Sequence, residues 1–472
     1  MSSTDQALSP GRLAQSGLCV GCGACAVVTG SLSMRLDRYG QFKPRGPGTS
    51  VANSEVAQTC PFSPAARDET RIAEEHFPHA SHQDDRIGRY EAAYIGHAEG
   101  GFREEGSSGG LTNWLACELL RLGLVDGVAH VGPGETAAGE ALFGYRISRT
   151  EADVRRRAKS RYFPVELSGV LDEIKDVPGR YAIVGIPCFI KAVHLLRAVD
   201  PVFRERIVYT LGLFCGHMKS ARFAESIAGQ LGYDMQDVSR FEFRTKDTAR
   251  PANWYRAEAV GHDGEQRARD WWHLVDGDWG AGFFQNSACD FCDDVVAETA
   301  DVSFGDAWID PYQADGRGTN VIVVRDRLLH RLLADANRTG RVALQPVEAD
   351  VVVRTQAAGF RHRREGLAYR LAARHGGIQP IKRVAPRRRG ISIRRRSIYA
   401  ARRAISRWSA RMYWLAHTLH QPRLYRSWAV LCLRGYQALA HSRGGLGRIL
   451  DRLLGTDAKT TATGLGETSR QQ

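Results

Sequence analysis

The chain has 472 residues, of which 43% are hydrophobic and 25% charged, and its formal net charge is +13. This length and balance are typical of a globular protein with two or three domains and exclude a disordered or low-complexity chain. No apolar run is long enough to span a bilayer, so we expect a soluble or peripheral protein. Ten cysteines are too few for a disulfide scaffold of this size, and no apolar signal-peptide core is present, so we expect reduced thiols in the cytoplasm.

The first distinctive stretch is Cys19-Val-Gly-Cys22-Gly-Ala-Cys25, which places three thiols at C-x2-C-x2-C spacing. Glycines between them allow a tight loop that points the sulfurs at one centre, as around a cubane iron–sulfur cluster. Cys60, followed by Pro61, is the nearest candidate for a fourth ligand. A zinc knuckle or a chance group of thiols is the alternative, although this third cysteine is unusual for zinc. The pattern predicts a ferredoxin-like 4Fe-4S module over residues 1–70, with little core of its own.

An α/β pattern begins at Tyr90, after a charged, His-rich segment at residues 71–86 that predicts a linker. Residues 107–110 form a loop of serine and glycine that opens onto an amphipathic helix beginning at Leu111. Such a loop at a helix N-terminus offers free N–H groups and a favourable dipole to an anion, so it is a candidate phosphate site. A plain tight turn is the alternative, because the loop matches neither G-x-G-x-x-G nor a P-loop.

Four further cysteines predict a second site. Cys188 and Cys215 each follow an apolar run, which places them at the carboxyl ends of two strands, where the ligand sites of open α/β sheets lie. Cys289 and Cys292 form another C-x2-C pair. Four thiols from three segments favour a second cluster, whereas a lone buried cysteine is more often a small hydrophobic residue. Two other cysteines are predicted to be structural: Cys117 and Cys432.

More short strands are predicted at residues 301–306 and 320–325, with a helix at 328–336. Strands that alternate with helical patterns over residues 90–350 predict a mixed α/β core. The expected fold is therefore this core with the N-terminal iron–sulfur module and a basic, mostly helical C-terminal extension over residues 360–472.

The extension carries the excess positive charge. Residues 382–452 contain eighteen Lys and Arg and one acid, Asp451, so this segment carries +17 and the remainder of the chain −4. Its arginines alternate with isoleucines and aromatic residues at helical spacing. This mixture favours a cytoplasmic protein in peripheral contact with the inner face of an anionic membrane. Such a contact would suit a lipid-linked substrate. Docking to an acidic partner is the alternative, and nucleic acid is disfavoured because the aromatics exceed what phosphate contact needs.

Several motifs occur in the same order as in the coenzyme F420 hydrogenase/dehydrogenase beta-subunit family, which the chain resembles from about residue 19 to residue 352. Besides the two cysteine sets, they are Ser107-Ser-Gly-Gly110, Lys159-Ser-Arg-Tyr162, Gly185-Ile-Pro-Cys188, Phe214-Cys215, Phe243-Arg-Thr-Lys246 and Ser303-Phe-Gly-Asp306. No single motif is diagnostic, but their shared order is hard to obtain by chance.

The resemblance implies an iron–sulfur flavoprotein with two 4Fe-4S clusters and FAD. It implies a flavin-binding region at residues 86–170 and a catalytic and cluster-binding region at 171–352. Lys246 and Asp306 would tune the flavin or bind substrate, and no catalytic residue is identified. The implied metal ligands are Cys19, Cys22, Cys25, Cys60, Cys188, Cys215, Cys289 and Cys292. The implied flavin-binding residues are Ser107, Ser108, Gly109, Gly110, Lys159, Ser160, Arg161 and Tyr162.

The functional hypothesis is an oxidoreductase that exchanges electrons between ferredoxin or another redox protein and an acceptor. The acceptor would be coenzyme F420 or another small or lipid-linked molecule, and the direction of electron flow is open. A second hypothesis is an electron-transfer subunit of a larger complex, without a substrate of its own. A third is a zinc-stabilised binding protein.

Overall fold

The structure is a computed structural model that describes residues 8–134 and 142–455. The first seven residues of the predicted N-terminal module and the last seventeen of the predicted extension lie outside this part of the chain. The helices are Pro10–Gln15 (α1), Ala24–Thr29 (α2), Ser54–Thr59 (α3), Glu69–His76 (α4), Phe102–Glu105 (α5), Leu111–Arg121 (α6), Glu151–Arg156 (α7), Ser168–Asp176 (α8), Pro187–Val199 (α9), Pro201–Arg206 (α10), Ala221–Leu231 (α11), Arg327–Arg338 (α12), Ala349–Thr355 (α13), Ala357–Arg363 (α14), Glu365–Ala372 (α15), Ile393–Thr418 (α16), Pro422–His441 (α17) and Gly444–Leu454 (α18). The strands are Ser33–Leu36 (β1), Phe42–Arg45 (β2), His82–Asp84 (β3), Gly88–Tyr90 (β4), Ala92–Ala98 (β5), Gly127–Pro133 (β6), Phe143–Ser148 (β7), Tyr181–Gly185 (β8), Ile207–Leu213 (β9), Val238–Thr245 (β10), Arg256–Gly261 (β11), Gln266–Asp270 (β12), Val302–Asp306 (β13), Asn320–Val324 (β14) and Val342–Pro346 (β15).

An eight-stranded mixed sheet forms the centre, in the order β15-β5-β14-β13-β9-β8-β6-β7. The four central strands, β13, β9, β8 and β6, run parallel to one another. The pairings outside these four strands are antiparallel: β13 with β14, β14 with β5, β5 with β15, and β6 with β7. Strands β8 and β14 are buried along their whole length, as expected for a sheet covered on both faces. The mixed α/β prediction is confirmed.

Helices on both faces of the sheet complete two hydrophobic cores. One core contains Leu115 of α6 and Leu333 of α12, and the other contains Phe189 of α9 and Phe223 of α11. The amphipathic helix predicted to begin at Leu111 is α6, and its apolar side chains are buried in the first of these cores.

One edge of the sheet collects the segments that the sequence singled out. Strands β8, β9 and β13 are parallel, and β5 runs in the same direction as β13 because β14 is antiparallel to both. Their carboxyl ends therefore lie at the same edge. This edge is where open α/β sheets place ligands. The segments that end these strands or follow them are Cys188, Cys215, Asp306 and the loop at residues 107–110.

The N-terminal region packs against this body. Leu18, Val20 and Ala24 are buried in the same core as Phe189, whereas a small cluster around Leu13 is local to the region. A ferredoxin-like fold for this region is not confirmed.

The linker predicted at residues 71–86 is wrong, because these residues form most of α4 and part of a β3–β4 hairpin. Asp68 caps α4 by accepting from the backbone N–H of Arg71, and Ile72 and Ala73 are buried. A charged composition therefore concealed a short helix with one apolar face, which gains its stability from tertiary packing.

The C-terminal extension is helical, as expected, and several of its aromatic residues turn inward, whereas Trp408 is 50% exposed. Tyr413 and Tyr425 contact the ring of Phe284, with ring centroids 5.8 and 5.5 Å apart, and Trp428 contacts Phe283 at 6.1 Å. The described residues include no helix long and apolar enough to cross a membrane. The packing gives no support to peripheral membrane association, which stays a prediction.

Candidate functional site

The first cysteine set comes together in the structure. Cys19, Cys22, Cys25 and Cys60 line one cavity, and none of them forms a disulfide. Burial raises the pKa of Cys22 well above its usual range, and the thiolates of Cys60 and Cys25 raise it further. Burial likewise raises the pKa of Cys60 to about 11. Thiols in such surroundings stay protonated and neutral unless a metal ion or a metal cluster binds them as thiolates.

Glycines give this loop its shape. Gly21 and Gly23 have φ angles of +80° and +90°, in the left-handed region that favours glycine. A Cβ on Gly21 would lie 2.7 Å from the carbonyl oxygen of Phe42, and one on Gly23 would lie 2.9 Å from the backbone nitrogen of Ser168. The chain can therefore turn tightly between the thiols only because these positions carry no side chain.

Backbone N–H groups face the sulfurs of this set. Those of Phe62 and Ser63 lower the pKa of Cys60 against the effect of burial, and that of Ala24 acts on Cys22 in the same way. Thiols surrounded by backbone donors in a low-dielectric site fit an anionic iron–sulfur cluster. The described residues contain no group of three or more His, Cys, Asp or Glu suited to a single metal ion. A polynuclear cluster differs from a single ion because its inorganic core holds its ligands farther apart.

The second set also comes together. Cys188 lies in the first turn of α9, and Cys215 follows β9. Cys289 lies within the short 3-10 helix Ser287–Phe291, and Cys292 follows that helix directly. Burial raises the pKa of Cys188 well above its usual range, and the thiolates of Cys292, Cys215 and Cys289 raise it further. The backbone N–H of Met218 donates to the Cys289 sulfur at 3.3 Å. These surroundings fit a second thiolate-bound cluster on the same grounds as the first.

The two sets are neighbours. The Cys22 thiolate also raises the pKa of Cys188, so charge on one set acts directly on the other. Helices α2 and α3, which flank the first set, both contact α9, which carries Cys188. The sequence motifs did not indicate this proximity.

A group of cations lies at the same edge of the sheet, beside the serine-glycine loop. Burial lowers the pKa of Lys246 to about 7, and the positive charges of Lys159, Arg244 and Arg103 lower it further. The Lys246 ammonium donates to the Ser108 carbonyl oxygen at 2.8 Å and also to that of Arg103. Positive charges that disfavour one another in this way fit an anionic ligand, which would relieve the repulsion.

The serine-glycine loop is held by the protein on several sides. The Ser107 hydroxyl accepts from the backbone N–H of Ser160 at 2.8 Å, so it joins the two predicted flavin-binding segments. The Ser108 hydroxyl donates to the Thr319 carbonyl oxygen at 3.2 Å. Gly109 and Gly110 pack closely against backbone, which agrees with a tight turn as well as with an anion site.

Lys159 has an unusual backbone. Its φ angle is +142°, which is strained for a residue with a side chain. Burial also lowers its pKa, whereas the negative charge of Glu242 acts in the opposite direction. Strain of this kind persists only where the surroundings impose it, and it is concentrated at functional sites.

The other predicted residues of this site differ in how far they are already paired. The Arg161 guanidinium donates to Glu242 at 2.6 Å and lies over the ring of Phe143, 4.7 Å from its centroid. Asp306 accepts from Arg244 at 2.7 Å. Arg161 and Asp306 are therefore both paired with protein partners, and the partner of Asp306 is Arg244 of the cation group.

Aromatic rings connect this site with the second cysteine set. The Tyr162 ring lies 5.6 Å from that of Trp271 and 5.0 Å from that of Trp279, measured between centroids. Trp279 in turn stacks on His217 at 4.2 Å, two residues after Cys215. Sequence reasoning placed Tyr162 at the flavin, and it missed the contact of Trp279 with His217 because the two are 62 residues apart.

Comparison with known proteins identifies the family. Residues 93–172 match the model of the coenzyme F420 hydrogenase/dehydrogenase beta subunit N-terminus, and residues 179–350 match that of its C terminus. The chain belongs to this family. Together the matched segments cover more than half of the chain and include the sheet, the second cysteine set and the cation group. They include neither the first cysteine set nor the C-terminal helices.

Two known proteins are similar to parts of this chain. Coenzyme F420-dependent sulfite reductase of Methanocaldococcus jannaschii is 24% identical over 312 residues, which are 62% of this chain and 43% of that protein. The chain thus spans less than half the length of this curated relative. Among solved structures, a chain of the F420-reducing [NiFe] hydrogenase complex from Methanosarcina barkeri superposes with a TM-score of 0.48 and 15% identity, covering 64% of this chain and 98% of that one.

Proposed function

We propose that the protein is an oxidoreductase that passes electrons between a redox protein of the ferredoxin type and a coenzyme F420-like or other small acceptor. Two 4Fe-4S clusters and FAD would be its cofactors. When bound, they would supply one-electron transfer and its conversion to two-electron chemistry.

The observation that carries the proposal is the convergence of eight cysteines into two adjacent sets within one body. Cys22, Cys289 and Cys292 are buried and the other five cysteines are half-buried, and the charge on Cys22 acts on Cys188. Electron transfer between two centres needs them close together and shielded from water, and this arrangement supports both conditions. The isolated cysteines Cys117 and Cys432 lie outside both sets and are free.

The cation group supports the position of the flavin. Lys159 and Lys246, with Arg103 and Arg244, would neutralise a pyrophosphate, and the strained Lys159 backbone points to a required side-chain direction. Tyr162 and its aromatic neighbours would exclude water beside the ring. Cationic surroundings for the pyrophosphate and apolar surroundings for the ring support the assignment of a nucleotide-linked flavin to this site.

The nature of the acceptor rests on family membership. The family description and the name of the sulfite reductase relative both refer to coenzyme F420. We therefore propose an F420-type deazaflavin as the first acceptor to test.

The test is anaerobic purification of the full chain, with iron and flavin quantified on the same sample. We expect about eight irons and one FAD per chain. Cys22→Ser and Cys188→Ser should each lose about four irons, and Cys117→Ser, a buried cysteine outside both sets, should lose none. Unchanged iron in either ligand variant would refute that ligand set, and zinc in a colourless preparation would refute the cofactor assignment.

Acceptor reduction is measured next. The chain, reduced by ferredoxin or dithionite, should reduce an F420-type deazaflavin, with the loss of its absorbance as the readout. A loaded protein that reduces no small acceptor would instead indicate an electron-transfer subunit. Lys246→Gln should slow the reaction without loss of iron, because Lys246 is placed at the flavin and not at a cluster.

A further inference from the structure

A buried arginine faces the second cysteine set from outside the family-matched region. Arg363 is the last residue of α14, and it is 1% exposed. One terminal nitrogen of its guanidinium donates to the carbonyl oxygens of Cys215 and Gly216, at 2.7 and 2.9 Å. The guanidinium is thus fixed directly beside the end of β9, where Cys215 lies.

The rest of this guanidinium has no partner. Its Nε and its other terminal nitrogen are buried without a hydrogen-bond acceptor, and no carboxylate among the described residues forms an ion pair with Arg363. Arg370 provides a contrast, since Asp290 lies 3.9 Å from its Nε. A buried charge without an opposite charge is costly, so an anion is expected at the free side of Arg363.

The thiols of the second set are close enough to this guanidinium for their charges to act on it. Burial lowers the pKa of Arg363, but the thiolates of Cys292, Cys215 and Cys289 outweigh it and raise the pKa above its usual range. The interaction is reciprocal, because Arg363 lowers the pKa values of all three thiols against burial. Three of the four cysteines of the second set therefore face one cation.

We propose that Arg363 is the counter-charge of the cluster held by Cys188, Cys215, Cys289 and Cys292, and that it raises the reduction potential of that cluster. The inference rests on the proposed function. A thiolate-bound cluster is anionic, and its reduction adds a further negative charge. A fixed cation and N–H donors beside the sulfurs favour the reduced state, most strongly where water is excluded. Arg363 is thus a positioning and tuning residue, and the helices after the family-matched region take part in the redox site.

The test compares Arg363→Gln with Arg363→Lys in a full-length Cys25→Ser chain, in which only the second cluster remains. Iron is quantified, and the midpoint potential is measured by a redox titration followed by electron paramagnetic resonance. Arg361→Gln is the matched control, because it removes one positive charge from the same helix and is half-buried. We expect Arg363→Gln to keep its iron. At the midpoint potential of the parent, its ratio of reduced to oxidised cluster should be at least tenfold lower, which corresponds to a midpoint lowered by at least 59 mV for one electron. Arg363→Lys should shift less, and Arg361→Gln should match the parent.

The outcomes separate this inference from the proposed function. Full iron with an unchanged midpoint in Arg363→Gln overturns the inference alone. Loss of iron in Arg363→Gln with retention in Arg363→Lys supports the counter-charge, and loss in both overturns it because lysine keeps the charge. A parent chain without iron overturns the second cluster and the inference together.

Discussion

Arg383 offers a direct test of how the C-terminal extension is attached to the body. Its guanidinium donates to both carboxylate oxygens of Glu298, at 2.6 and 2.9 Å, and to Asp293 at 3.3 Å. The exposed fractions of these side chains are 14%, 2% and 0%, so the contact is a buried network. Arg383→Met removes the charge and keeps most of the apolar volume.

The magnitude follows from what is left behind. After the substitution, Glu298 keeps only a weak contact with Arg364 at 3.8 Å, whereas Asp293 still pairs with Lys382 at 3.3 Å. Removing one partner of a buried ion pair typically costs about 3–5 kcal/mol, because the other charge stays buried and unpaired. We expect Arg383→Met to lower the free energy of unfolding by that amount.

The assay is urea unfolding of the anaerobic protein, followed by circular dichroism. Arg388→Met, an exposed arginine of the same segment, should change the free energy of unfolding by no more than about 0.5 kcal/mol. Arg383→Met combined with Glu298→Gln should recover part of the loss, since the uncompensated carboxylate is gone. If Arg383→Met costs no more than the exposed control, the network does not hold the extension and the reasoning is refuted.

Three further predictions concern the proposed flavin site. Because Lys246 has a pKa lowered to about 7 by burial and neighbouring cations, it loses its charge as the pH rises, and FAD affinity should fall about tenfold from pH 6 to pH 8. Fluorescence titration should show that the FAD affinity of Lys246→Gln does not change with pH. The same pH dependence in the variant and the parent would contradict this role of Lys246. Lys159→Gly should stabilise the protein by about 1 kcal/mol through relief of the strained φ, yet weaken FAD binding; weaker stability would argue against strain. Gly109→Ala should cost about 1–3 kcal/mol, because its Cβ would lie 2.7 Å from Asn320 Oδ1, whereas Gly169→Ala meets no atom within 4 Å and serves as the thermal-unfolding control.

The sequence by itself determined the features that depend on local pattern. Uniformly apolar runs predicted β8, β9 and β14, because strands covered on both faces need apolar side chains along their whole length. The C-x2-C spacings, together with Cys60-Pro61 and the places of Cys188 and Cys215 after apolar strands, predicted which cysteines would be grouped. The structure places the members of each group together. Their role as ligands stays a prediction.

Local pattern was insufficient where tertiary contacts decide. The aromatic and basic extension indicated a membrane surface, but its rings pack on Phe283 and Phe284, more than 100 residues away in sequence. The charged segment at residues 71–86 indicated a linker, but burial of Ile72 and Ala73 stabilises α4 there. An amphipathic pattern does not specify whether its apolar face meets lipid, solvent-excluded core or a partner.

Only the tertiary structure brought the two cysteine sets side by side and placed Arg363 against the second of them. The contact of Arg363 with Cys215 joins residues 148 positions apart, and that of Lys246 with Ser108 joins residues 138 positions apart. Periodicity reports only on neighbours along one helix or strand, so it carries no information about such pairs. They are fixed by the strand order, which brings the carboxyl ends of distant strands to one edge of the sheet.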